Sequence, residues 1–176
     1  GHAFTSYTQL DGLPGNQVYA LALDRNQGVW IGTGEGLSRF DGQNFINYTE
    51  QQGDIGLPSE RISSLLRDGN DLWIGTWGGL VNFDGVQFVT RDMEDGLASE
   101  RINALAVDSE GILWVGTDRG ASRFDGEKFA NFSSVNGLPS DEVHALRFDY
   151  NGHLWIGTSS TVQFRDSGGL SRYDGD

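Results

Sequence analysis

The side chains that could do covalent chemistry are few. The chain has no cysteine and three histidines, at positions 2, 144 and 153, so thiolate nucleophiles, thiolate metal sites and disulfides are excluded. No Ser/His/Asp spacing and no histidine cluster of metal-ligand type emerges. His144 is then the one candidate general base. No calcium-loop pattern is present either, and neither a metal nor another cofactor is expected. Recognition chemistry is better supplied. Glu60-Arg61 and Glu100-Arg101 repeat one acid and base pair, and Asp118, Arg119 and Glu142 extend the set. Arginine forks suit bidentate contact with a polar ligand, although such pairs also neutralise each other within loops. Trp77 sits at a turn, where a ring serves either as a platform for a sugar face or as cover for a neighbouring element. Phe164 and Arg165 lie in the stretch Ser159 to Gly168, ten residues long where the corresponding turns have two. Such an excursion either binds or is tolerated at small entropic cost.

What positions these residues is a repeat. Trp30-Ile-Gly-Thr returns as Trp73-Ile-Gly-Thr, Trp114-Val-Gly-Thr and Trp155-Ile-Gly-Thr, at spacings of 43, 41 and 41. Gly36-Leu-Ser-Arg-Phe-Asp-Gly moves in step with it, recurring from Gly79, Gly120 and Gly169. Ahead of each tryptophan stands Gly-Leu-[Pro/Ala]-x-x-x-[Val/Ile], from Gly12, Gly56, Gly96 and Gly137. Repetition at such a period marks stacked units, none of which can bury its apolar faces alone.

Each repeat divides into four short strands. In the third, these run from Ile102 to Asp108, Ile112 to Thr117, Ala121 to Asp125 and Lys128 to Phe132, here termed A to D. Asp/Gly turns separate A from B and C from D, and two residues separate B from C. Four-stranded meanders at a period near 41 imply an all-β propeller. One domain over 1–176 is expected, with repeats of about 8–48, 49–90, 91–132 and 133–176 plus 3–7. Trp30, Trp73, Trp114 and Trp155 should pack between adjacent blades. Because Phe4-Thr-Ser-Tyr7 matches the D strands and Tyr173-Asp-Gly ends on a C strand, an N-terminal D strand is expected to complete the last blade. Closure within one chain gives a four-bladed monomer, and exchange between two chains gives an eight-bladed homodimer.

Composition sets the outer bounds. The 176 residues include 26 glycines, which suits frequent tight turns and excludes a helical bundle. Twelve Lys and Arg against 25 Asp and Glu leave a net charge of −13, an unfavourable balance for nucleic acid or anionic lipid. No apolar run is long enough to cross a membrane as a helix.

The blocks W-[IV]-G-T, G-[LA]-[SV]-[RN]-[FY]-D-G and G-L-[PA] together resemble the two-component regulator propeller repeat, from about Phe4 to Gly175. The resemblance implies an extracytoplasmic sensor-type propeller, periplasmic or secreted, of the kind that responds to polysaccharide fragments. Loops D-to-A and B-to-C share one face of a propeller, and the candidate residues fall on them. The expected function is therefore non-enzymatic binding of a carbohydrate or small polar ligand on that face. An alternative is a scaffold for protein contacts, or a self-assembling propeller fragment without a small ligand. A related seven-bladed family contains lyases that use a histidine and a metal ion, which is the basis for an enzymatic alternative at His144.

Overall fold

The computed structural model describes residues 4–25, 27–49, 56–159 and 168–175. Fifteen strands form four antiparallel sheets, each a meander in chain order. Blade 1 comprises β1 (Val18–Leu23), β2 (Val29–Thr33), β3 (Gly36–Phe40) and β4 (Phe45–Tyr48). Blade 2 comprises β5 (Ile62–Asp68), β6 (Asp71–Thr76), β7 (Leu80–Phe83) and β8 (Phe88–Arg91), and blade 3 β9 (Ile102–Val107), β10 (Leu113–Thr117), β11 (Gly120–Phe124) and β12 (Phe129–Phe132). Blade 4 has three strands, β13 (Glu142–Phe148), β14 (Leu154–Ser159) and β15 (Gly169–Tyr173). The strands expected in the third repeat lie within a residue of those found.

Turn chemistry sets the strand ends. The Asp108 carboxylate accepts from the backbone N–H of Glu110 and Ile112 between β9 and β10. Asp41 accepts from Gln43 and Asn44 in the same way between β3 and β4, where Gly42 takes φ 101°. At the opposite edge, the threonine of Trp-Ile-Gly-Thr closes the B-to-C turn. Thr33, Thr76 and Thr117 each donate to the carbonyl three residues on, at Gly36, Gly79 and Gly120, all at 2.8 Å.

Blades stack face to face through three apolar seams. Trp30 is 3% exposed and stands 5.7 Å from Phe83 of the next blade. Trp73 repeats this against Phe124 at 6.0 Å, and Trp114 against Tyr173 at 5.0 Å. The glycine beside each tryptophan allows the approach. A Cβ built on Gly32 would stand 2.6 Å from Ile62, on Gly75 2.6 Å from Ile102, and on Gly116 2.7 Å from Val143, so a Val or Ile at the start of β5, β9 and β13 plugs a socket in the blade before it.

The fourth repetition of this seam is not made within the structure. Trp155 packs against no following blade, and its indole N–H is held by Asp149 at 3.0 Å. Phe4 to Tyr7, expected as the outer strand of the last blade, lies against blade 1, with Tyr7 5.1 Å from Phe40 and 5.6 Å from Phe45. The four blades thus form an arc with two uncovered end faces: Leu21 and Leu23 on blade 1 are 64% and 76% exposed, and Leu170 on blade 4 is 65% exposed.

Candidate functional site

The A strands β1, β5, β9 and β13 lie side by side along the inner edge of the arc. Loops D-to-A and B-to-C meet above that edge, keyed together by backbone hydrogen bonds. Gly34 and Trp77 donate to the carbonyls of Gln17 and Arg61 in their own blades. Gly79 and Gly120 donate across the seam to Glu100 and Asp141. The B-to-C turn of blade 2 is therefore fixed relative to the A-strand approaches of blades 2 and 3, which explains how residues from separate repeats converge.

Arg61, Trp77 and Arg101 do converge. The Arg61 guanidinium carbon lies 3.6 Å from the centroid of the Trp77 ring, and that of Arg101 lies 4.0 Å from it. Two like charges that close on a single side would touch, so the indole is clasped from both faces. Arg61 also stands 4.9 Å from the Tyr19 ring of blade 1. This changes the part given to Trp77. It is 37% exposed, but its faces belong to arginines, and it holds cationic groups in place instead of offering a bare platform. Among the described residues neither guanidinium is in an ion pair, although the chain as a whole carries −13.

The remaining candidates lie nearby with separate surroundings. Glu60 is half-buried beside Arg61, and Glu100 and Arg119 are exposed. Asp118 is half-buried, with one carboxylate oxygen enclosed and without a hydrogen-bond partner among the described residues. Glu142 lies 3.7 Å from His144, whose side chain is half-exposed. No group of three His, Asp or Glu among the described residues could hold a metal ion. Phe164 and Arg165 lie outside the described residues.

One column along the inner edge is represented among the sequence candidates by His144 alone. Each A strand carries a bulge directly after its plugging residue, where the register skips between Val18 and Ala20, Ile62 and Ser64, and Val143 and Ala145, and opposite Gly116 and Thr117 in blade 3. The extra residues are Tyr19, Ser63, Asn103 and His144. Ser63 donates to the Ile102 carbonyl at 2.6 Å and Asn103 to the Val143 carbonyl at 3.0 Å, each reaching the A strand of the next blade. The signal was available as a variable residue between a repeated Val/Ile and a small Ala/Ser.

A cleft of about 280 Å³ opens on the opposite side of the first seam, between Asp24, Arg39, Tyr48, Arg67 and Phe83. Its charges serve each other. Burial disfavours the Asp24 anion, yet the Arg39 hydrogen bond and charge, with donors from the Arg25 backbone and Trp30, hold its pKa below the ordinary 3.8. Arg39 Nε lies 2.8 Å from Asp24. On the loop face, by contrast, Arg61 and Arg101 are in no ion pair among the described residues.

Sheets that stack face to face around a common inner edge, three of them four-stranded meanders and the last three-stranded among the described residues, define a β-propeller. The chain belongs to the two component regulator propeller family, which it matches at residues 12–35, 56–78, 96–119 and 137–160. It has no significant match among curated proteins. Among solved structures it is similar to the extracellular domain of the hybrid two component system BT3049 from B. thetaiotaomicron, at 23% identity and TM-score 0.84, over 98% of this chain and 24% of that one. The computationally designed Ika4 protein is similar at 21% identity and TM-score 0.61, over 89% of each chain. A streptogramin B lyase is similar at 12% identity and TM-score 0.65, over 92% of this chain and 56% of that one. These likenesses show the fold, and this chain spans about a quarter of the BT3049 domain.

Proposed function

We propose that this propeller recognises a small polar ligand bearing a carboxylate, an acidic carbohydrate being the class that suits the site, on the face formed by the D-to-A and B-to-C loops. The supporting observation is the Arg61–Trp77–Arg101 clasp. Its guanidinium planes are fixed by the indole, so a carboxylate meets ordered forks without ordering two flexible side chains first. The enclosed oxygen of Asp118 offers an acceptor for a ligand hydroxyl. Family membership and the likeness to an extracellular domain of a hybrid two component system support a non-enzymatic sensor role outside the cytoplasm. The test is thermal unfolding with oligogalacturonate and with a neutral oligosaccharide of equal length. Binding to the folded state raises the midpoint. A rise with the acidic sugar, absent in Arg61→Ala and Arg101→Ala, is the expected result. No rise with either sugar would count against the ligand reading and favour a scaffold for protein contacts.

A further inference from the structure

We infer that the cleft at the first seam, on the side opposite the loop face, binds a divalent tetrahedral oxyanion, a phosphate or sulfate group. Both of its walls belong to blades that adjoin within the chain. Asp24 and Arg39 satisfy each other there, but two further guanidinium groups do not fit that account. Arg25 reaches over from blade 1 and donates through Nε to the Gly69 carbonyl of blade 2 at 3.3 Å, and Arg67 donates through Nε to the same oxygen at 3.0 Å. One carbonyl thus holds two cations side by side. Arg25 is in no ion pair among the described residues, and Arg67 comes only to 3.9 Å of Asp24, beyond hydrogen-bond reach. Among the described residues the terminal nitrogens of these two forks make no hydrogen bond, so their donors remain to be given.

Both arginines depart from the repeat. Where β5 has Arg67, the A strands of blades 3 and 4 have Val107 and Phe148, and where Arg25 follows the turn aspartate of blade 1, those blades have Ser109 and Tyr150. The equivalent cleft at the third seam sets Asp108, Glu110 and Asp174 against Arg123 alone, so the fold does not itself require a cationic pocket. At the first seam Arg25, Arg39 and Arg67 outnumber Asp24 and Asp84, in a chain of net charge −13. Asp84 is engaged by its own turn, accepting from the backbone of Val86 and Gln87. Asp24 neutralises one guanidinium, and the two left over match the charge of a divalent anion. Their forks come from opposite walls, which suits oxygens arranged tetrahedrally better than the two coplanar oxygens of a carboxylate. The side chains of Arg39 and Arg67 are only 22% and 21% exposed, and reduced access of water strengthens a charged hydrogen bond. Tyr48 and Phe83 add an apolar wall, and about 280 Å³ has room for the oxyanion and part of a group esterified to it.

Isothermal titration at fixed ionic strength, with inorganic phosphate and inorganic sulfate as probes, tests the site. One saturable site with a dissociation constant of about 1 mM or lower is expected, weakened at least about tenfold in Arg67→Gln and in Arg25→Ala. Arg25 is exposed, so its variant keeps the fold even where Arg67→Gln does not. Arg123→Ala at the third seam and Arg61→Ala on the loop face should both leave binding unchanged, which separates this site from the carboxylate reading. Glucose 6-phosphate and glucose 6-sulfate distinguish the sources of the anion: tighter binding than the inorganic ions marks an esterified group and equal affinity the free ion, and both support the cleft. No saturable binding of any of the four, full affinity in Arg25→Ala and Arg67→Gln alike, or loss of binding in Arg61→Ala would overturn the proposal.

Discussion

The tryptophan column separates packing from accessibility at single residues. Trp114 is 2% exposed and stands 5.3 Å from Phe132 and 5.0 Å from Tyr173. Trp155 makes the same kind of indole hydrogen bond as Trp30, to Asp149 in place of Asp24, but no following blade covers it. Trp114→Ala should therefore cost about 3–5 kcal/mol by urea unfolding. Trp155→Ala, at an indole only half-buried among the described residues, should cost no more than about 1–2 kcal/mol. Equal losses would mean that the seam contributes little to either ring. The structural role of this column was legible in the sequence because repetition at a fixed period points to contacts between repeats. Trp77 was less legible. It was recognised as exceptional, but its partners Arg61 and Arg101 come from the A-strand approaches of two blades, and only the folded loops bring them to 3.6 and 4.0 Å of one ring. Of the bulge residues only His144 was a candidate, and Tyr19, Ser63 and Asn103 were missed for a related reason: one extra residue in a strand leaves alternation nearly intact while turning a single side chain toward the next blade.

At the level of elements, the hairpins carry a pH dependence. Backbone N–H groups of Asn44 and Gln43 hold Asp41 below the ordinary value of 3.8, those of Gln87 and Val86 do so for Asp84, and those of Lys128 and Glu127 for Asp125. Asp149 is held further below it, first by the Trp155 indole, then, against burial, by the backbone and ring of His153. A carboxyl whose folded pKa is depressed binds its proton less readily in the folded state than in the unfolded one. Its contribution is complete above the ordinary 3.8 and is lost as pH falls through 3.8 toward the folded value. Urea midpoints should thus be level down to about pH 5 and fall steeply below about pH 4. Asp149→Asn should unfold more easily than the unaltered chain at neutral pH, with the gap closing in acid. A gap that persists to pH 2 would show that the hydrogen bonds matter and the ionisation does not. The strands between these turns were readable to within a residue, since Asp and Gly at turn positions mark where each ladder must stop. Asn47 and Asn131, which resemble glycosylation acceptors, instead bind the loop carbonyls of Gly12 and Gly96, in keeping with duplicated strand sequence.

For the molecule as a whole, the repeat period indicated stacked antiparallel blades, but not how a ring closes. Strand patterns specify faces and edges, whereas closure depends on the angle accumulated over four seams, which no single repeat encodes. Charge acts on the folded molecule as a whole, since the chain carries −13. Within it the first seam is bridged by Arg67, 3.9 Å from Asp24 across the blades. Salt screens repulsion between like charges over a Debye length of about 10 Å at 0.1 M and leaves apolar burial intact. The urea midpoint at neutral pH should therefore rise as sodium chloride increases from about 0.02 to 0.3 M. A falling midpoint over that range would mean that attractive pairs such as Arg67 with Asp24 outweigh the net repulsion of an acidic chain.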